Sequence, residues 1–196
     1  YMVFNAGRFD AYVRWYGSPG AFVTALPTAS AVGVDSAELT VVCLAADAPG
    51  IPVENPRQTP SWEYSARYGP KPPCFARASI VRIGGERRLL IGGTASIVGE
   101  DSTHLGDLEG QTVEALTNLA ALIGAACGRP APALTDLYRL TGVRIYLARQ
   151  QDAPRVDSIL RRLCPALSDV ETVLSQICRP ELLVEIEGVA SIDTAG

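Results

Sequence analysis

The chain has 196 residues, a length that supports one large domain or two small ones around a real hydrophobic core. Its composition, with 47% apolar residues, 19% charged residues and a formal net charge of −4, excludes a disordered chain and a polycation, so nucleic acid is not an expected partner. No apolar stretch reaches the ~20 residues that span a bilayer. We therefore expect a globular protein without a membrane partner.

The cysteines and the single histidine bear on compartment and on metals. The five cysteines are widely spaced and form no Cys-x-x-Cys pair, which is typical of free thiols in a reducing cytoplasm. His104 has no second histidine for a paired metal site and no partners at the spacing of a catalytic triad. The sequence therefore predicts a soluble cytoplasmic protein without metal or cofactor.

The first part of the chain predicts a helix, a strand and a long loop. Apolar residues recur at helical spacing in residues 5–16, which predicts a helix that Asn5 caps. Residues 38–46, ELTVVCLAA, are compact and rich in β-branched side chains, so they predict a strand. Residues 50–73 contain six prolines together with tyrosines and arginines. This composition predicts an irregular loop with a functional role rather than a plain linker.

From residue 74 onward, strand and helix patterns alternate. The predicted elements are strands at 74–83 and 87–97, a helix at 108–127, a strand at 142–149, a helix at 156–163, and strands at 170–178 and 182–190. The last two strands are predicted to be neighbours that the turn RPE joins. This order predicts an α+β fold in which both helices cover one face of a mixed sheet. Because the other face must meet solvent, another domain or another subunit, we expect a trimer-like or pseudo-trimeric assembly.

Two acids interrupt the last predicted strand. In ICRPELLVEIEGVA, residues 177–190, side-chain alternation places Glu185 and Glu187 on the same face, about 7 Å apart by the strand rise. One interpretation is a solvated face. The other is a cleft in which burial raises the pKa of one carboxyl, so that it can donate a proton near neutral pH.

A run of small residues, LLIGGTASIVGEDSTHLGD, is the second unusual stretch. It has neither the Gly-x-Gly-x-x-Gly spacing nor the Gly-Lys-Ser/Thr ending of nucleotide-binding loops. Gly92 and Gly93 in the middle of a strand predict close approach of another backbone or of a ligand. Thr94 and Ser96 offer hydroxyl groups beside them.

Together these stretches carry a resemblance to a known family. LLIGGTASIVGEDSTHLGDLEGQTVEALTNLAALI followed by LLVEIEGVA resembles the RidA/YjgF fold over about residues 75–190. More specifically, ENPRQTPSWEYSARYGPKPPCFARASI, GTASIVGEDSTHLGD and ICRPELLVEIEGVA resemble the chorismatases, enzymes of this fold that remove the pyruvyl unit from chorismate. The RidA deaminases hold their substrate with an arginine on the penultimate strand. No arginine lies between Cys164 and Cys178, so the resemblance favours a chorismatase.

The resemblance divides the chain into three parts. Residues 1–49 look like the back half of an N-terminal RidA-like domain, with a helix and a strand. Residues 50–73 are the proline-rich functional loop, and residues 74–196 are the RidA/YjgF-like catalytic domain. Chorismatases usually carry a longer N-terminal portion, so either the chain is trimmed or the family has a short form.

The resemblance implies chorismate as the small-molecule substrate. Chorismate is a dianion, and arginine meets such a ligand by two-point hydrogen bonding to each carboxylate. The arginines expected to bind it are Arg57 and Arg77. Tyr64 and Tyr68 are expected to act as phenolic donors.

The resemblance also implies the chemistry. A carboxylic acid protonates the methylene carbon of the enol ether, and water or a ring hydroxyl attacks the oxocarbenium-like centre that results. We expect Glu187 to be this acid, with Glu185 as the alternative. The other residues expected to contact the substrate are Gly93, Thr94, Ala95, Ser96 and Cys178. Cys178 together with Ala95 favours 3-hydroxybenzoate over a dihydroxycyclohexadiene carboxylate as the product.

Two other functions stay open from the sequence. One is a RidA-type enamine/imine deaminase. The other is a catalytically silent trimeric module that binds a small carboxylate at subunit clefts. The function that the sequence favours is cleavage of chorismate in secondary metabolism by an enzyme that needs no metal.

Overall fold

The computed structural model describes residues 1–36, 38–129, 131 and 133–192. In these residues a six-stranded mixed sheet carries two helices on one face, and a short helical segment from the start of the chain lies beside it. None of the helices in this described part is long and apolar enough to cross a membrane. The predicted α+β class is confirmed.

The helical segment contains the first predicted element. Helix α1 (Met2–Tyr16) ends at Gly17, whose φ of 87° lies in the left-handed region that favours glycine. The short helix α2 (Pro19–Phe22) follows it. The helix prediction is confirmed, but its cap is wrong. Because α1 begins earlier than residue 5, Asn5 lies inside the helix and accepts a hydrogen bond from Arg8.

The strand predicted at residues 38–46 is wrong. The segment has no regular secondary structure, and Leu39, Val41, Val42 and Leu44 are exposed. A β-branched sequence forms a strand only where a neighbouring strand completes its ladder. Among the described residues, no strand of the sheet pairs with this segment.

The described residues contain eight strands, and six of them form the main sheet. The strands are β1 (Ile51–Val53), β2 (Ala78–Ile83), β3 (Glu86–Ala95), β4 (Ile97–Val98), β5 (Asp101–Ser102), β6 (Leu140–Leu147), β7 (Val170–Leu174) and β8 (Val184–Ser191). Their order in the main sheet is β1-β2-β3-β8-β6-β7, and β4 pairs with β5 separately. Only the β6–β7 pair of this sheet is parallel. The β2–β3 hairpin was predicted and is confirmed.

Two details of the sheet differ from the prediction. Part of the proline-rich segment is regular, because β1 pairs with β2. The last two strands are not neighbours: β8 lies between β3 and β6, whereas β7 lies at the edge beside β6. Helix α4 (Ala153–Leu163) connects β6 to the parallel β7, as a parallel pair requires. Strand β7 ends at Leu174, so Cys178 lies in a connection and not on a strand.

The two helices predicted to cover the sheet lie together on one of its faces, as predicted. Asp107 caps the N-terminus of helix α3 (Leu108–Ala126), because its side chain accepts a hydrogen bond from the Glu109 amide. Its apolar side, with Leu116, Leu119 and Ile123 fully buried, shares one core with β3, β8 and helix α4. Burial of side chains of this kind stabilises the fold by about 1.5 to 3 kcal/mol each.

Residues 27–33 cross the opposite face of the sheet. Thr28 hydrogen-bonds Ser79 at 2.7 Å, and Gly33 pairs with Gln176 at the far side. A Cβ on Gly92 would lie 2.9 Å from the Ala29 carbonyl oxygen, so the close backbone approach predicted for this glycine is confirmed. The crossing segment covers only part of this face, and the trimer-like assembly stays a prediction.

A buried amide on α3 joins the proline-rich loop to the end of β3. The Asn118 side chain is fully buried and donates to the carbonyl oxygens of Ala95 (3.2 Å) and Ile97 (2.9 Å). Its oxygen accepts from Arg57 Nε at 3.1 Å and from Asn55 Nδ2 at 3.4 Å. One side chain therefore holds two segments in register.

We expect Asn118→Ala to lower the free energy of unfolding by about 3 kcal/mol, because it leaves buried donors and acceptors without partners. Urea unfolding followed by circular dichroism measures the loss. The control is Thr117→Ala on the same helix, which removes one hydrogen bond to Val113 O and is expected to cost less than about 1 kcal/mol. Equal losses in the two variants would contradict the role given to Asn118.

Candidate active site

A cavity of about 220 Å³ lies where the start of α1, the proline-rich loop and the ends of β3 and β8 meet. Seven of the residues expected from the sequence line it: Tyr64, Tyr68, Arg77, Gly93, Ala95, Cys178 and Glu185. It also contains residues that the sequence did not indicate, among them Tyr1, Arg8, Ser30, Phe75, Ile97 and Arg179.

The acid in this cavity is Glu185. The Glu185 residue is only 5% exposed to solvent. Burial and, to a smaller extent, the nearby charge of Glu187 together raise its pKa to about 7, and the charge of Arg77 opposes both. A carboxyl with this pKa is protonated in about half of the molecules at pH 7, so it can donate a proton there.

The same shift links Glu185 to stability. In the unfolded chain this carboxyl ionises at its ordinary pKa of 4.5, and in the folded protein at about 7. The folded state therefore holds the proton more tightly, so the stability that this group contributes is complete below pH 4.5 and is lost as the pH rises through 7. At about 1.4 kcal/mol for each pKa unit, the loss is on the order of 3 kcal/mol.

Gly93 provides the surface on which the acid rests. A Cβ at this position would lie 2.8 Å from the carboxyl carbon of Glu185, closer than real contacts allow. The close approach predicted for this glycine is therefore made by an acid of the same chain. Any larger residue at position 93 must displace the carboxyl.

We expect Gly93→Ala to lower kcat about tenfold, because a displacement on the scale of 1 Å is enough to cost that much in an oriented reaction. Steady-state kinetics with chorismate, the substrate that the sequence resemblance implies, measures it. Gly7→Ala on α1, where a Cβ would meet nothing within 4 Å, is the control and should leave kcat unchanged. An unchanged kcat in Gly93→Ala would contradict the packing argument.

The cavity is rich in positive charge. The Arg77 residue is 5% exposed, and its Nη2 donates to Tyr64 Oη at 2.7 Å and to Thr59 O at 3.2 Å. Its Nε is buried and has no hydrogen-bond partner among the described residues. Arg8 Nε is in the same condition. Buried donors without partners are costly, so these two nitrogens point to an anionic ligand.

A third arginine, Arg179, lies over the tyrosines of the loop. Its guanidinium is 3.8 Å from the centre of the Tyr68 ring and 5.6 Å from that of Tyr64, and its Nη1 donates to Ser102 Oγ at 3.0 Å. Stacking on a ring leaves the edge of a guanidinium free for a carboxylate. The cavity thus combines three arginines with one protonated acid.

The β4–β5 turn holds the proline-rich loop in place. Ser65 donates to both carboxylate oxygens of Glu100 at 2.8 Å, from its amide and from its hydroxyl. Tyr68 Oη donates to Asp101 at 2.8 Å, and Arg67 forms an ion pair with the same carboxylate. These contacts fix the two tyrosines that form one wall of the cavity.

The cavity thiol belongs to Cys178. Burial raises its pKa to about 12, and the nearby Glu185 carboxyl contributes to the same direction. It is therefore a neutral thiol at neutral pH. A neutral thiol and the methyl group of Ala95 give this part of the wall small, uncharged groups.

Four residues expected at the site lie outside the cavity. Arg57 binds Glu114 and Asn118 on helix α3 instead. Thr94 is buried, with its hydroxyl bonded to Gly92 O at 2.8 Å, and Ser96 bonds Thr103 O at 3.0 Å. Along this stretch residues 93, 95 and 97 line the cavity and the residues between them do not, because side chains alternate along an extended chain.

Glu187, the fourth of these residues, faces the same side of β8 as Glu185 but does not line the cavity. It pairs with Arg144 Nη1 at 2.9 Å and accepts a hydrogen bond from Ser30. The Glu187 carboxylate is therefore already paired with the guanidinium of Arg144. The geometry favours Glu185 over Glu187 as the acid.

The arginines missed from the sequence differ in how visible they were. Arg179 directly follows Cys178 in the quoted stretch ICRPELLVEIEGVA, so its position next to a cavity residue was a usable signal. Arg8 and Ser30 carried no such signal. They reach the cavity only because the segment from α1 to residue 33 folds over the sheet.

Comparison with known proteins finds relatives along nearly the whole chain. No family model matches the chain. A 3-hydroxybenzoate synthase of Streptomyces hygroscopicus is 35% identical over an alignment of 198 positions, which covers 96% of this chain and 56% of that protein. A chorismatase of the same organism is 37% identical over 97% of this chain and 55% of that protein. A chorismatase crystal structure superposes with a TM-score of 0.81 at 29% identity, over 97% of this chain and 57% of that one.

The chain is a homologue of the chorismatases. It spans a little over half the length of the relatives that it matches. A structure described as an endoribonuclease L-PSP of Entamoeba histolytica matches with a TM-score of 0.53 at 17% identity, over 72% of this chain and 98% of that one, which supports the fold alone. The chorismatase-like, RidA/YjgF-like fold predicted from the sequence is therefore confirmed.

Proposed function

We propose that this chorismatase homologue cleaves the enolpyruvyl ether of chorismate and releases pyruvate. The observation that carries the proposal is Glu185, a buried carboxyl with a pKa of about 7 at the wall of a cavity with three arginines. A dianionic substrate explains the arginines. An enol ether, which breaks after protonation on carbon, explains the protonated acid.

In the proposed binding mode the three arginines bind two different carboxylates of the substrate. Arg77 Nε has no hydrogen-bond partner among the described residues and is the first candidate to pair with a carboxylate. Arg8 and Arg179 are the candidates for the second carboxylate. Tyr64 and Tyr68 lie between these groups and offer phenolic hydroxyls.

In the proposed reaction Glu185 donates its proton to the methylene carbon of the enolpyruvyl group. The ether carbon becomes an oxocarbenium-like centre, which the ionised Glu185 helps to stabilise. Attack by water gives a hemiketal that collapses to pyruvate and a dihydroxycyclohexadiene carboxylate, with one water consumed. In the other route the ring hydroxyl adds to this centre, loses its proton and forms a cyclic ketal. The C–O bond between the ring and this oxygen then breaks, the neighbouring ring carbon loses its hydrogen as a proton, and the hemiketal that remains collapses to pyruvate and 3-hydroxybenzoate without net consumption of water. Neither route needs a metal.

Between these routes, the cavity wall supports 3-hydroxybenzoate. Cys178 and Ala95 place small, uncharged groups beside the acid, which offer a water molecule weaker hydrogen bonds than a charged side chain would. The relative named 3-hydroxybenzoate synthase is consistent with this choice. We further propose a trimer-like assembly, because the sheet face opposite the helices is only partly covered. The free cysteines support a cytoplasmic enzyme, and the chorismatase relatives support a role in secondary metabolism.

Incubation of the purified chain with chorismate tests the proposal. Pyruvate is followed by coupling to lactate dehydrogenase, and the aromatic product is identified by liquid chromatography. We expect equal amounts of pyruvate and 3-hydroxybenzoate. A folded protein that releases no pyruvate would overturn the function, and release of the dihydroxy acid would overturn only the product. Ammonia release from 2-aminoacrylate above the uncatalysed rate would favour the deaminase instead.

A further inference from the structure

The second acid of β8 is held in place from two sides. Glu187 lies opposite Arg144 of strand β6 in the sheet, and Arg144 Nη1 is 2.9 Å from its Oε1. Its Oε2 accepts the hydroxyl proton of Ser30, which belongs to the segment that crosses this face. Its side chain is 22% exposed, so it remains close to solvent while Glu185 is buried.

Ser30 connects this carboxylate to the backbone at the acid. The Ser30 hydroxyl oxygen accepts a hydrogen bond from the Gly93 amide at 2.8 Å while its proton goes to Glu187. Gly93 is the residue on which the Glu185 carboxyl rests. A continuous set of contacts therefore runs from Glu187 through Ser30 and Gly93 to Glu185.

The ionisable groups that face Glu185 come from every element around it. They are Glu187 on its own strand, Tyr146 opposite it on β6, Tyr1 before α1, Arg77 before β2 and Cys178 before β8, with Arg8 and Arg179 elsewhere on the cavity wall. Burial raises the pKa of Tyr1, Tyr146 and Cys178 to about 12, so all three are neutral at neutral pH. The charges that act on the Glu185 carboxyl are then those of Glu187 and Arg77.

We propose that Glu187 is a positioning residue for the acid on Glu185: held by Arg144 and Ser30, it keeps a fixed negative charge behind the buried carboxyl and fixes the Gly93 backbone against it. This inference rests on the proposed function. Glu187 then acts through Glu185 and does not contact substrate. Its charge opposes that of Arg77, so the pKa of Glu185 stays close to neutral pH although an arginine lies nearby.

The pH dependence of Glu187→Gln tests the inference. Activity requires protonated Glu185, so it falls as the pH rises through the pKa of Glu185. Removal of the negative charge at position 187 lets Glu185 ionise at lower pH. We therefore expect the falling limb of the kcat/KM profile to move down by about one pH unit, which lowers kcat/KM above pH 7 about tenfold. Glu187→Asp keeps the charge, and its limb should stay in place.

Glu171→Gln is the matched control. Glu171 on the edge strand β7 pairs with the same Arg144, at 2.7 Å, but has no contact with Ser30. The falling limb of the kcat/KM profile of Glu171→Gln should lie at the same pH as in the parent protein. The inference is overturned if Glu187→Gln leaves the limb in place, or if Glu171→Gln moves it equally.

A second measurement separates this inference from the proposed function. Carbon-13 NMR of protein labelled at the glutamate carboxyl follows Glu185 directly, with its signal assigned by its absence from Glu185→Gln. Titration without substrate should give a lower pKa in Glu187→Gln than in the parent protein. An inactive chain that shows this shift would overturn the function and support the role of Glu187. An active chain without the shift would do the reverse.

Discussion

Glu185→Gln is expected to lower pyruvate release from chorismate about 1,000-fold, within the range that a general acid contributes. Glutamine keeps the shape of the side chain and its contact with Gly93, but it has no acidic proton to transfer to the methylene carbon. Initial rates at several chorismate concentrations measure the loss, which should lie in kcat with little change in KM. The arginines that bind the substrate are untouched by this substitution.

The fold of Glu185→Gln is checked by its stability. Because the folded protein resists ionisation of this buried carboxyl, the parent loses stability as the pH rises from 4.5 through 7. The variant has no such group, so it should be at least as stable as the parent at pH 8. Glu171→Gln on the edge strand is the matched control and should keep its activity. Retained activity in Glu185→Gln would move the acid to another residue.

Arg77→Met is expected to raise KM for chorismate about 100-fold, because loss of one partner of a buried charge pair costs at least about 2 kcal/mol. Arg77 is buried, and its Nε has no hydrogen-bond partner among the described residues, so a substrate carboxylate is the partner proposed for it. Arg77→Lys keeps the charge without the two-point geometry and should lie between the parent and Arg77→Met. Steady-state kinetics resolves KM from kcat in both variants.

The control for Arg77 is Arg82→Met, at the exposed end of β2. Arg82 Nη1 donates to the Gly85 carbonyl in the hairpin turn, far along the strand from the cavity. Its KM should be that of the parent. Circular dichroism must show that Arg77→Met is folded, since this arginine also holds Tyr64 and the Thr59 carbonyl. A folded Arg77→Met with an unchanged KM would contradict the binding role.

Local patterns predicted most of the elements. The apolar side of α3 and the turn of the β2–β3 hairpin depend on residues that are close together in the chain. Both elements are present as predicted. Residues 38–46 have the same kind of local preference, yet they form no strand. A helix makes its hydrogen bonds within itself, whereas a strand depends on a partner elsewhere in the chain.

Part of the site could also have been excluded from the sequence. Thr94, Ala95 and Ser96 are consecutive, and in an extended chain consecutive side chains point to opposite sides. Only Ala95 reaches the cavity, together with Gly93 and Ile97. The alternation that placed Glu185 and Glu187 on one face therefore also separates Ala95 from its two neighbours.

The sequence by itself determined the fold class, the resemblance to the chorismatases and the strand face that carries both acids. Only the tertiary structure distinguished the two acids. Ser30 and Arg144 bind Glu187, while Gly93 and the surrounding cavity residues bury Glu185. The physical reason is that the pKa of a carboxyl depends on how completely water is removed from it. That removal is carried out by Tyr1, Ser30 and Arg77, which lie more than a hundred residues away in the chain and whose positions no local pattern contains.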